Sequence, residues 1–206
     1  RIIDENFASS IWDKVRGREA IITDILSSNK STPPPLPFNL STLQIDAAKQ
    51  FGMNAKLVLD VCQSLYEKHK LITYPRSDCR YLPSEQFSLA KSIVAMLARA
   101  ELPFSSAAQQ ADTSIKSKAW NNAKVSAHHA IIPTQKSPLG LSLSHLEKNV
   151  YGLIVRLYLA QFYPAFIYQQ THVALTIVGG KFATTANVTE QLGWKVLYER
   201  TSERII

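Results

Sequence analysis

The chain has almost no cysteine. Cys62 and Cys79, two residues in 206, cannot build a disulfide framework. No Cys/His spacing of the metal type accompanies them, so no zinc site is expected. No apolar run is long enough to span a bilayer, and no signal peptide is evident, so no membrane partner is expected. The first residue is Arg1 rather than Met, which leads us to expect a piece of a longer protein. Acidic residues are the minority sign. Sixteen Asp and Glu stand against 23 Lys and Arg, leaving a formal charge of +7. That balance suits a polyanion, because Lys and Arg release condensed counterions from nucleic acid. Composition alone names no partner.

What is present reads as globular. Hydrophobic residues make up 46% and charged residues 19% of the chain, outside the disordered range. The length suffices for one large domain or two small ones with a real core. Phe7, Ile11 and Val15 fit a short helix over 4–15, which Gly17 can end. Residues 20–26 are β-branched and apolar and read as a strand. Residues 27–37 hold four prolines and read as a linker. Ser41 with Gln44 forms a capping-box pattern opening a helix over 42–51 that stops at Gly52. Asn54 can cap a second helix over 55–68, with Val58, Val61, Cys62 and Leu65 on one stripe. Cys62 therefore reads as core. Two helices joined by a short Gly-containing turn make a helix-turn-helix, and an apolar strand follows directly, as in a winged helix. Residues 84–100 predict a further helix, and 101–118 a mixed polar segment. Ser144 and Glu147 make a second capping box for a long helix over 145–163, ended by Pro164. The pattern then changes to alternation over 173–177, with Gly179-Gly180 as a hairpin loop. A return strand over 182–188 and a short strand running from Gly193-Trp194 to Tyr198 complete the chain.

Strands thus fall at both ends with helices between. The expected class is α+β, a mostly helical, winged-helix-like domain inserted into a small β domain built from both chain ends. Residues 1–38 and 164–206 make the β domain, and 39–163 the insert.

The chemistry-bearing stretch is Lys70 to Pro83. A short apolar approach ends at Tyr74 and Pro75, with Arg76 and Arg80 two and six residues beyond the tyrosine. A phenol, with an ordinary pKa of about 10, is a poor nucleophile at neutral pH. Guanidinium groups favour the phenolate and grip phosphate bidentately. Spacing alone also permits a structural tyrosine in a turn with solvated arginines.

Three ordered segments carry a resemblance. They are Pro35 to Gln44 running on to Leu65-Tyr66-Glu67, the Tyr74 stretch with its Ser-Asp-Cys-Arg-Tyr-Leu-Pro continuation, and Ser126 to Thr134 with its Ala-His-His-Ala core. Together they resemble type IA DNA topoisomerases, most like the bacterial topoisomerase III members, over roughly residues 18–198. The resemblance implies an ATP-independent isomerase acting on single-stranded DNA. Tyr74 attacks a phosphodiester, holds the 5′ phosphate as a phosphotyrosine, allows strand passage and religates. It implies that Arg76 holds the scissile phosphate and that His128 bonds the DNA backbone near the cut, adding pH-dependent affinity. Arg80, Thr73, Ser77 and His129 are the flanking candidates for DNA contact, and Asp78 is expected to orient Arg76 or Arg80. The β domain would be part of the family's β arch. The intact enzymes use Mg²⁺ bound by an acidic TOPRIM domain. No Asp-x-Asp-x-Glu run occurs here, so no metal or cofactor is expected in this chain, and it is expected not to relax DNA without the rest of the polypeptide. A bacterial cytoplasmic setting at the nucleoid follows from the same resemblance.

Rival readings exist. A tyrosine recombinase places His-x-x-Arg before its tyrosine, whereas His128 follows Tyr74 and Ile131 stands three residues on. A non-catalytic winged-helix-like module would bind DNA with Tyr74 merely structural, and a scaffold would not bind it. Only the topoisomerase reading requires a covalent adduct that depends on Tyr74.

Overall fold

The computed structural model describes residues 4–100 and 103–198. Its contacts divide the chain into two units. The smaller comprises residues up to Thr32 with Ile167–Leu192, and the larger Pro33–Phe166 with the chain from Gly193 onward.

In the smaller unit, α1 (Glu5–Val15) is capped by Asp4, whose carboxylate accepts from Phe7 N at 2.8 Å. Gly17, at φ 70°, turns the chain out of the helix, as the sequence predicts. Strands β1 (Ile21–Thr32), β2 (Phe166–Ile177) and β3 (Gly180–Gln191) form one sheet in the order β1-β2-β3. The strand β1 runs on through Ser27–Thr32, a stretch the sequence assigns to a linker. Ser27 Oγ meets Thr171 Oγ1 on β2 at 3.0 Å. Pairing with β2 outweighs the weak strand preference of this Ser/Asn-containing run, and only Pro33 stops it. The β2–β3 hairpin closes on the pair Ile177↔Gly180, so its loop is Val178-Gly179, one residue earlier than the sequence suggests. Both loop residues have positive φ, 49° and 76°, as a type I′ turn requires.

The larger unit is built around α6 (His145–Leu159), nine of whose residues are buried. Its N-terminus carries the expected capping box between Ser144 and Glu147. A 3-10 turn, Ala160–Phe162, extends it toward Pro164. Against α6 pack α2 (Leu40–Phe51), through Leu43 and Ala47, and α3 (Ala55–Gln63), through Val58, Val61 and Cys62. The cap of α2 is Asn39 with Thr42, two residues upstream of the expected Ser41 and Gln44. Asn39 wins because its carboxamide accepts from Thr42 N at 2.9 Å while Thr42 Oγ1 accepts from Asn39 N at 3.2 Å. Gly52, in the left-handed region at φ 66°, ends α2. The expected single helix over 84–100 is a 3-10 turn, Ser84–Leu89, leading into α4 (Ala90–Ala98). Within the mixed polar segment α5 (Ser105–Gln110) forms; the segment's first two residues lie outside the described ones. The expected last strand is instead a 3-10 turn, Gly193–Tyr198. Gly193 explains it: a Cβ there would stand 2.3 Å from Ala165 O and 2.4 Å from Pro164 O, so the chain folds back too tightly for strand pairing.

Cys62 is fully buried, and burial pushes its thiol up to about 12. That fits core and excludes a reactive thiolate.

Candidate nucleic-acid cleavage site

The tyrosine loop is held by isolated backbone bridges rather than a sheet. Beyond α3 the helix widens into a π-helical turn, Ser64–Lys68, a distortion often found at functional sites. Leu71 N then reaches back to Leu65 O at 2.9 Å, and Lys70 sits at φ 58° to make the turn. The chain next pairs antiparallel with the histidine-bearing segment at Ile72↔Pro133. Thr73 N donates to Ile132 O at 3.0 Å, and Thr134 N to Leu71 O at 2.9 Å. Phe38 bridges to Ile131 on the same segment.

These bridges bring Tyr74 and His128 together. The two rings lie 4.2 Å apart between centroids at an interplanar angle of 33°. Tyr66, on the π-helical turn, meets Tyr74 edge-on at 5.9 Å and 86°. Tyr74 is half-buried between these rings, whereas His128 is exposed. Arg76 is exposed, and its Nη2 donates to Gln63 Oε1 at 3.2 Å. Gln63 Nε2 in turn donates to Glu67 Oε1 at 2.9 Å. One turn of helix thus holds the guanidinium at the tyrosine loop with the remaining N–H groups free to meet an anion.

The other expected residues take different places. Ser77 is buried at 1% exposure, and its hydroxyl accepts from Cys79 N at 3.1 Å. The hydroxyl is thus spent on the backbone of its own loop. Thr73 is a latch: its hydroxyl donates to Ala130 O at 3.1 Å and accepts from Ile132 N at 3.0 Å. His129 Nδ1 lies 2.8 Å from Ala130 O, and its Nε2 lies 2.9 Å from Gln86 Nε2, so both ring nitrogens have neighbours within the fold. Arg80 donates from Nε to Pro37 O at 2.9 Å and from Nη2 to Leu36 O at 2.6 Å. Asp78 pairs with neither arginine; its carboxylate accepts from Ser126 Oγ at 3.5 Å. Sequence reasoning did not single out Gln63 or the ring packing of Tyr66. The i, i+4 spacing of Gln63 and Glu67 was the available signal.

A buried pair supports this region from behind. His69 Nε2 lies 3.1 Å from Glu147 Oε1, which also accepts from Ser64 Oγ at 2.7 Å. Burial raises the Glu147 carboxyl, but the hydrogen bonds from Ser64 and Ser144, together with His69, outweigh it and hold it at about 2. The contact ties the start of α6 to the π-helical turn that carries Tyr66.

Among the described residues no group of three His, Cys, Asp or Glu side chains converges to hold a metal. No helix among them is long and apolar enough to cross a membrane.

Comparison with known proteins completes the picture. A protein-family model described as DNA topoisomerase matches residues 1–205, further than the three sequence segments reach. The DNA topoisomerase 3 of Vibrio cholerae is 46% identical over 204 residues, 99% of this chain and 32% of that protein. The DNA topoisomerase 3 of Haemophilus influenzae is 41% identical over 197 residues, 96% of this chain and 30% of that protein. That of Bacillus subtilis is 35% identical over 98% of this chain and 28% of the relative. The structure of full-length topoisomerase I from Thermotoga maritima superimposes with a TM-score of 0.68 at 22% identity, over 97% of this chain and 32% of that one. The chain spans about a third of the relatives it matches. With a family match over almost its whole length, the chain belongs to the DNA topoisomerase family.

Proposed function

We propose that this chain is the nucleophile-bearing part of a type IA DNA topoisomerase of the topoisomerase III kind. The observation that carries this reading is Tyr74, packed between His128 and Tyr66 with Arg76 at the same loop. Tyr74 Oη attacks the phosphorus of a single-strand phosphodiester. A new O–P bond forms to the 5′ phosphate, the bond to the 3′ oxygen breaks, and that oxygen leaves as a hydroxyl after gaining a proton. Because one phosphoester replaces another, resealing needs no ATP. Arg76 grips a non-bridging oxygen and stabilises charge in the transition state. His128, exposed on the ring of Tyr74, bonds the strand beside the cut. Thr73, Ser77 and His129 act as positioning residues, and Arg80 faces the strand. In this reading residues 1–38 and 164–206 belong to a β-arch segment, and 39–163 to an inserted helical domain whose α2–α3 pair is winged-helix-like. The Mg²⁺ of the complete enzyme would belong to a TOPRIM domain elsewhere in the same polypeptide. Relaxation or decatenation would belong to that whole protein, at the nucleoid of the cell.

The test uses a single-stranded oligonucleotide and the remainder of a topoisomerase III supplied separately. Attack at the 5′ phosphate predicts that a 3′-labelled strand shifts to a protein adduct on denaturing electrophoresis, while a 5′ label appears as a shorter free strand. Tyr74→Phe should abolish the adduct and keep strand binding within about threefold. An adduct that survives Tyr74→Phe overturns the assignment, and the absence of any adduct despite binding favours the plain DNA-binding module.

A further inference from the structure

Beside the tyrosine loop, within the larger unit, lies an open hollow of about 370 Å³, walled by Asn39, Asp78, Arg80, Tyr81, Lys124 and Ser126 among others. We propose that this hollow is a second phosphate subsite, which holds a phosphodiester flanking the one attacked by Tyr74, with Lys124 and Arg80 as its cationic contacts. The proposal rests on the reading of Tyr74 as nucleophile and adds where the strand continues.

Continuity is the first argument. Asp78 lies four residues beyond Tyr74, and Ser126 two before His128. Ser126 Oγ sits 3.5 Å from both Asp78 Oδ1 and His128 O. The hollow and the reactive pair therefore share both of their chain segments, and a strand leaving one meets the other.

The second argument is that the cations are fixed in advance. Arg80 is clamped through Nε and Nη2 to the carbonyls of Pro37 and Leu36. Lys124 is anchored twice. The Cys79 thiol donates to its carbonyl at 3.3 Å, and its ammonium donates to Tyr81 Oη at 3.3 Å while lying 5.0 Å from the centre of that ring. Side chains already ordered lose less entropy when a ligand arrives.

Charge gives the ligand class. Two cations and the single carboxylate of Asp78 leave the hollow with one net positive charge. That matches the single negative charge of a phosphodiester better than the dianion of free phosphate. The Ser126 hydroxyl adds a donor at the same wall.

The experiment is fluorescence anisotropy of the 206-residue chain with a labelled oligothymidine over a series of salt concentrations. Lys124→Gln should weaken binding about three- to tenfold at low salt. It should also lower the slope of log K against log salt by about 0.7, the value for one lost phosphate contact on a single strand. Lys124→Arg should restore both, and both variants should melt with the parent chain. An unchanged slope in Lys124→Gln, with adduct formation intact in the parent, overturns the subsite alone. A changed slope with no adduct in any mixture overturns the nucleophile reading, and with it the placement of this subsite beside a cleaved phosphate. Inorganic phosphate that displaces the oligonucleotide as well as an equal concentration of a thymidine dinucleotide would identify a free-anion site and overturn the diester assignment.

Discussion

The rings of Tyr74 and His128 lie 4.2 Å apart, from segments more than fifty residues distant in sequence. In the proposed reading the histidine does two things: it offers ring nitrogens to the strand, and it restricts the phenol from one side. Substitutions separate these roles. His128→Phe keeps an aromatic face without the nitrogens, and His128→Ala removes both. We expect adduct formation to fall at least tenfold in His128→Ala. If the nitrogens matter more than the packing, His128→Phe will be equally impaired. Full activity in His128→Ala would sink any role for this ring.

Arg76 depends on Gln63, which depends on Glu67. Gln63→Leu removes the acceptor and leaves an exposed guanidinium to sample other rotamers. The adduct rate should drop about three- to thirtyfold with no change in melting temperature, since the bond is exposed and of little stabilising value. Gln63→Glu should retain much of the rate, because a carboxylate still accepts from Arg76. Equal loss in both variants would point to a different role for Gln63.

The fold was legible where local chemistry decides it. The capping box at Ser144 and Glu147, the Asn54 cap and the left-handed Gly52 all follow from side chains within a few residues of their partners. The strand β1 was legible only to Leu26, because its second half exists through pairing with β2 far along the chain. The tight fold-back at Gly193 against Pro164 and Ala165 was likewise hidden, since the clash that excludes a side chain comes from a distant carbonyl. For the site, the sequence pointed to Tyr74, Arg76 and His128, and the structure brings Tyr74 and His128 into contact. It could not tell which flanking polar groups are free. Ser77 and Thr73 look like exposed hydroxyls in sequence, yet both are engaged with neighbouring backbone.

Thr73 joins the two segments of the site through a hydroxyl that both donates and accepts. Thr73→Val keeps the shape and leaves Ala130 O and Ile132 N without that partner. A half-buried loss of this kind costs about 1–3 kcal/mol. Thr73→Ser should recover most of it. Urea unfolding at neutral pH would measure the difference, and a Thr73→Val curve that overlays the parent would refute the latch.

Gly193 combines φ of 50° with carbonyl oxygens where a Cβ would stand. Alanine fits neither the backbone angle nor the space. Gly193→Ala should therefore destabilise the chain by about 2 kcal/mol or more, seen as a lower melting temperature. Trp194 N donates to Pro164 O at 3.0 Å in the same fold-back, so the effect should exceed that of Gly179→Ala in the exposed hairpin.

Glu147 gives the last prediction, and its sign follows from its partners. Its carboxyl is held at about 2 in the folded chain against an ordinary 4.5. A depressed acid contributes stability that is complete above the unfolded value and is lost as pH falls toward the folded one. The parent chain should therefore lose stability progressively between about pH 4.5 and 2 as the proton is forced on. Glu147→Gln removes the charge from the first turn of α6 and weakens the acceptor for Ser64 and His69 on and after the π-helical turn. It should cost about 2–4 kcal/mol at pH 7, and its melting temperature should change less than the parent's across the acid window. The two curves should converge as pH approaches 2. Parallel curves from pH 7 to 2 would show that this carboxylate is not what couples the tyrosine-bearing turn to the central helix.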